Sequence, residues 1–110
     1  MSFLHWLIGV GVMLALAPLA HAASIAGIVY DGLTLDAQQN AVVTINTTPV
    51  QTKLVKDGSY AFSVPPGTYT LKATYQEQGL VLAEASQEIV ISEEGNFTLD
   101  LILLPDLGNV

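Results

Sequence analysis

Between Tyr60 and Tyr75 the chain alternates with period two. Tyr60, Phe62 and Val64 are separated by Ala61 and Ser63, and Tyr69, Leu71, Ala73 and Tyr75 by Thr70, Lys72 and Thr74. Successive side chains of a strand point to opposite faces, so this pattern predicts two strands, each with one apolar and one wet face. The flanking residues are turn chemistry. Asp57-Gly58 supplies the positive φ angles of a tight turn, and Pro65-Pro66-Gly67 removes ladder donors where the first strand must end.

The same signals recur along the rest of the chain. Ile25 to Tyr30 is short and β-branched, closed by Asp31-Gly32, and a polar loop runs on to Asn40. Ala41 to Asn46 and Val50 to Val55 are separated by Thr48-Pro49. Glu77-Gln78-Gly79 turns the chain into a long extended segment, Leu80 to Ile91, with an expected kink near Ala83 to Ser86. After Glu93-Glu94-Gly95-Asn96, the side chains of Phe97, Leu99, Leu101 and Leu103 share one face, and Pro105 ends the strand. Seven short strands with regularly spaced turns, and no helical period after Ala23, predict an all-β fold: a seven-stranded antiparallel β-sandwich with Tyr60, Phe62 and Tyr69 in its core.

Ahead of this pattern lies a different one. Phe3 to Ala17 is apolar except for His5, predicting an N-terminal hydrophobic helix that Pro18 breaks, and Ala20-His21-Ala22 fits the small-x-small rule of signal peptidases. Cleavage would fall between Ala22 and Ala23. The apolar run from Phe3 to Ala20 is also long enough to remain as a membrane anchor. Residues 1–22 are thus a signal peptide or N-terminal anchor, 23–105 the β-sandwich and 106–110 a short tail. Either reading sends the sandwich out of the cytoplasm, secreted or at the cell surface, with membrane contact only through the N-terminal segment.

Charge narrows the partners. The net charge of -7 comes from ten acidic residues and three lysines (Lys53, Lys56 and Lys72), all at or beyond Asp31. Nucleic acid and anionic lipid need a dense basic patch, which three scattered lysines cannot build. The absence of cysteine leaves the fold to core packing and sheet hydrogen bonds, and excludes thiol chemistry. The histidines, His5 and His21, lie in the leader, and the chain has no arginine, so beyond residue 22 no Ser-His-Asp set or imidazole acid–base group can form. No catalytic residue, metal ligand or cofactor is expected. Glu93-Glu94, and Asp31 with Asp36, read as solvated turn charges rather than a catalytic carboxylate pair. Asp31, Asp36 and Asn40 share one loop without the spacing of a calcium loop. Two sequons, Asn46-Thr47-Thr48 and Asn96-Phe97-Thr98, sit at turns and make Asn46 and Asn96 candidate N-glycosylation sites.

The stretch Asp57 to Ala73, with its D-G-x-Y-x-F, Pro/Gly turn and G-x-Y-x-L, resembles the signature of carboxypeptidase regulatory-like domains. Ile25-Ala26-Gly27-Ile28-Val29 resembles that family's opening strand and Ala41-Val42-Val43 its second, so the likeness spans residues 24 to 104. It is similar to the lumenal domain of the seventh subunit of the endoplasmic-reticulum membrane protein complex and to its archaeal relatives. The resemblance implies a transthyretin-like (prealbumin-like) sandwich. It implies no single function, since such domains are attached to many unrelated proteins. Related collagen-adhesin sandwiches carry a lysine isopeptide bond, but Lys53 and Lys72 fall on the polar faces of their strands. The expected role is a non-catalytic extracytoplasmic interaction or structural module that binds a protein partner. The alternatives are a carbohydrate-binding sandwich, with Tyr30 or Tyr75 stacking on a sugar, and an accessory domain in membrane-protein insertion or assembly.

Overall fold

A computed structural model of the chain describes residues 22–105. The leader and the tail, residues 1–21 and 106–110, lie outside the described residues, and with them the expected N-terminal helix.

The described chain is all-β. Eight strands follow in order: β1 (Ala23–Asp31), β2 (Ala41–Ile45), β3 (Gln51–Val55), β4 (Ser59–Val64), β5 (Gly67–Glu77), β6 (Leu80–Ile91), β7 (Gly95–Thr98) and β8 (Leu101–Pro105). They form one mixed sheet in the order β3-β2-β5-β6-β8-β1-β4, with β7 also on β1. The sheet curls until its end strands, β3 and β4, face each other across a seam, so that it is nearly a closed barrel. Gln51 Nε2 donates to the Ser63 carbonyl at 3.3 Å across that seam, and Lys53 Nζ lies 5.4 Å from the centre of the Phe62 ring.

The alternation read from the sequence fills the interior. Ala41, Val43 and Ile45 on β2, Tyr60, Phe62 and Val64 on β4, and Tyr69, Leu71 and Ala73 on β5 are all buried. Each large aliphatic among them contributes about 1.5–3 kcal/mol by leaving water. The intervening residues, Lys72 among them, stay on the outside. The β3–β4 turn forms where Asp57-Gly58 predicts it. Asp57 Oδ1 accepts the Ser59 N–H at 3.0 Å and the Ser59 hydroxyl at 2.8 Å, which holds the Asp57 carboxyl below the usual range. Gly58 has φ of 93°, and a Cβ there would stand 2.7 Å from Ala37 Cβ.

Three expectations need correction, the first being the sandwich itself: the described strands form one curled sheet, with no second sheet packed on it. The last strand, expected to run unbroken from Phe97 to Leu103, is split into β7 and β8, which makes eight strands rather than seven. The sheet is also not purely antiparallel: β7 and β8 both run parallel to β1, Ile25 opposite Phe97 and Val29 opposite Leu101. The break coincides with two long-range side-chain hydrogen bonds. The Tyr60 hydroxyl donates to the Leu99 carbonyl, and Asp100 Oδ1 accepts the Ile28 N–H at 2.9 Å, so side chains take the places of ladder partners. Gly27 makes room for this. A Cβ on it would stand 1.9 Å from the Leu99 oxygen. The inward row Phe97, Leu99, Leu101, Leu103 survives the break, and Leu101 and Leu103 are buried.

The irregularity in β6 falls at Leu82, directly beside the expected stretch Ala83 to Ser86. Tyr75 pairs with Ala83 but Gln76 with Val81, which leaves Leu82 as an extra residue in a bulge.

Candidate interaction surface

Three elements meet at one end of the barrel: the loop after β1, the β5–β6 hairpin tip and the end of β8. The loop is tightly bonded despite its polar sequence. The Asp31 N–H donates to the Asp36 carbonyl at 2.8 Å and the Leu35 N–H to the Asp31 carbonyl at 2.7 Å. Asp31 Oδ1 accepts the Leu33 N–H at 2.8 Å, and the Gly32 N–H donates to the Leu103 carbonyl at 2.9 Å, pinning the loop to β8. With the backbone so engaged, two leucines point away from the core. Leu33 is 77% exposed and Leu35 is 65% exposed, the latter at φ of 63°, a left-handed conformation that costs a bulky residue about 1–2 kcal/mol.

The hairpin adds two more. Gln78 and Gly79, at φ of 52° and 82°, make the two-residue turn with both central φ angles positive that matches strand twist. It places Leu80 at the rim, exposed, while the bulge puts Leu82 beside the loop. Four of the nine large apolar side chains exposed on the described surface (Leu33, Leu35, Leu80 and Leu82) belong to this end, while Leu104 lies with Ile102 on the outer face of β8. That concentration separates it from the single exposed apolar residues found on any surface.

Between them is a cleft of about 200 Å³. Leu33, Leu82, Leu103 and Pro105 are its apolar walls, Tyr75 and Ala83 extend them, and Asp31 and Gln38 form its polar edge. The Tyr75 hydroxyl donates to Glu77 Oε1 at 2.7 Å, and this bond, then desolvation and the Glu77 charge, raises the phenol above its ordinary range. Asp36 lies in the same loop, and Glu84 sits beside Ala83 opposite Leu104. Two lysines stand apart, Lys53 at the seam and Lys72 opposite Ser86 in mid-β5, and Lys56 is on the β3–β4 turn at this end of the barrel.

The residues singled out from sequence do not form one site. Tyr75 continues the inward row of β5 and lines the cleft. Tyr30 is offset by one from fully buried Val29 and pairs with exposed Ile102 on the outer face. The two rings therefore offer no common platform for a sugar. Asn46 lies at the opposite end of the barrel, where its Oδ1 accepts the Thr70 N–H at 2.8 Å and extends the β2–β5 ladder. Asn96 is exposed on β7 and borders, with Ala22, Ala23, Glu93 and Glu94, an open hollow of about 620 Å³. A second hollow of about 480 Å³ lies between Asn46, Pro49, Pro65 and Tyr69. Both are larger than the cleft, but neither gathers exposed leucines. Asp31, Asp36 and Asn40 share the loop, and among the described residues no three His, Cys, Asp or Glu side chains are placed to hold a metal ion.

The exposed leucines escaped the sequence reading because Gly32-Leu33-Thr34-Leu35-Asp36 lies among turn residues and reads as polar loop. The available signal was a pair of leucines where a loop normally places polar side chains. No family model matches the chain, and no curated protein matches it significantly.

Proposed function

We propose that this chain is a non-catalytic module acting outside the cytoplasm, with a carboxypeptidase regulatory-like (transthyretin-like) domain, and that it binds a protein partner through the cleft end of the barrel. One observation carries the reading: Leu33 and Leu35 are held in water by a loop whose backbone is fastened to β1 and β8. A preorganised loop loses little entropy on binding, and a cluster of exposed apolar side chains gains from being covered. The export reading rests on the leader, and the non-catalytic one on the lack of histidine, cysteine and arginine beyond residue 22.

The test is site-specific photo-crosslinking in the cells that make the protein. A photoreactive residue at position 33 of the intact chain is expected to give a discrete protein adduct, and one at Thr68, on the far half of β5, to give none. Equal yields from both positions, or no protein adduct from either, would overturn the assignment of this surface.

A further inference from the structure

We infer that the cleft takes one bulky apolar side chain from a basic segment of the partner. The inference deepens the reading above and rests on it. Size supports the first half. Small-molecule sites run to about 300–1,000 Å³, and this cleft holds about 200 Å³. It is too small for a metabolite or cofactor and fits a single anchor side chain of the kind that dominates interface energetics. Its lining is mostly apolar, with buried Leu103 and exposed Leu33 and Leu82 among it, and Asp31 and Gln38 at its edge.

Charge supports the second half. Asp31 stands on the cleft edge, Asp36 in the same loop and Glu77 beside Tyr75, while Glu84 lies on the outer face between inward Ala83 and Ala85. Lys56 is the one lysine near this end of the barrel, on the β3–β4 turn whose Gly58 meets Ala37. A segment carrying lysine or arginine on both sides of its apolar residue meets the carboxylates of Asp31, Asp36 and Glu77. An acidic segment, an anionic lipid surface or a second copy of this chain meets like charge.

The probe is a seven-residue peptide with a central leucine, glycine on each side of it and two lysines beyond each glycine. Control peptides replace the leucine by alanine or the lysines by glutamate. Each is titrated into the full chain, purified as its cells make it, and followed by NMR. The leucine–lysine probe is expected to shift the signals of Leu33, Leu82 and Leu103, and to bind roughly tenfold more tightly than either control. Its affinity should weaken as salt screens the rim, and Leu82→Ser should weaken it as much as removing the probe's leucine does. Equal binding of the alanine probe would mean charge attraction without an anchored side chain. Equal or tighter binding of the glutamate probe would remove the basic requirement. Either result overturns the inference.

Failure here is distinguishable from failure of the underlying reading. A protein adduct at position 33 with no response to the basic probe overturns the inference alone. A lipid adduct at position 33, or no protein adduct there, overturns both.

Discussion

β1 and the loop that follows it obey opposite rules. At Gly27 and Ile28 the strand is locked between β4 and the β7–β8 break, with the Leu99 carbonyl so close to Gly27 that a methyl group has no room. A few residues later, at Leu33 and Leu35, the chain holds large apolar side chains in water that the core would accept. The first region spends its side chains on fixing the sheet and has no free surface to offer. The second is fixed by backbone hydrogen bonds and by the side chains of Asp31 and Thr34, which leaves Leu33 and Leu35 without a part in holding it. Stability and recognition are therefore separable here, and substitutions on the two sides should show it.

The largest effect belongs to Gly27→Ala. The new Cβ would stand 1.9 Å from a backbone oxygen, and relief requires β1 to part from β7 and β8. Urea unfolding should report a loss of about 3 kcal/mol, the upper range for overpacking. A loss below about 1 kcal/mol would show that the break at Leu99-Asp100 yields easily, and the contrast between the regions would weaken.

Tyr60→Phe follows. It removes the hydroxyl from the Leu99 carbonyl while keeping the ring against Phe62, with centroids 5.8 Å apart, and should cost about 1–1.5 kcal/mol. It also carries a pH signature. Burial first, and the Asp100 charge second, push the Tyr60 phenol up to about 12 from its ordinary value near 10. Because the folded value is raised, this group's contribution is complete below pH 10. It is lost as pH rises to 12, since the unfolded chain ionises first. Tyr60→Phe should be the less stable protein at pH 8, yet lose less between pH 10 and 12. Parallel profiles for the two proteins would exclude Tyr60 as the group responsible.

These two regions also mark how far the sequence could be read. The antiparallel half was legible because the period-two rows of β2, β4 and β5 and the Asp57-Gly58 turn are local signals, and local signals survive into the fold. The β7–β8 break was not, because it depends on Tyr60 reaching a carbonyl 39 residues away and Asp100 an amide 72 residues away. No periodicity encodes such partners. Parallel pairing to β1 was hidden for the same reason: strand direction follows topology, while alternation is identical in both directions. The candidate surface was legible only through Tyr75. Its leucines sit in a loop and at a bulge, where neighbouring residue types imply polarity and where position is set by hydrogen bonds the sequence does not display.

A smaller effect, of opposite sign, is expected at Leu35. Its left-handed φ is one that asparagine adopts with less cost than leucine. Leu35→Asn should raise stability by about 0.5–1 kcal/mol in urea unfolding, and should reduce the adduct yield from position 33. A residue that strains the backbone and gains nothing from the core is retained for contact with something else. Unchanged adduct yield would instead leave Leu35 as strain without a use at this surface.

The smallest effect on the fold, and the sharpest on the comparison, should come from Leu33→Ser. Leu33 is more exposed than any other large apolar side chain described, so replacing it removes almost no buried area, and its N–H bond to Asp31 is made by the backbone. The change in stability should stay within about 0.5 kcal/mol. The crosslinking yield from a photoreactive residue at position 35 should fall severalfold, because one wall of the cleft is gone. The two measurements must be made together. A destabilised Leu33→Ser would mean that the loop packs on the barrel through this side chain and belongs with Gly27 and Tyr60. A stable variant with undiminished adducts would leave the loop exposed and separate it from the partner. Only a stable variant with diminished adducts keeps β1 and its following loop distinct, one holding the sheet and the other presenting a surface.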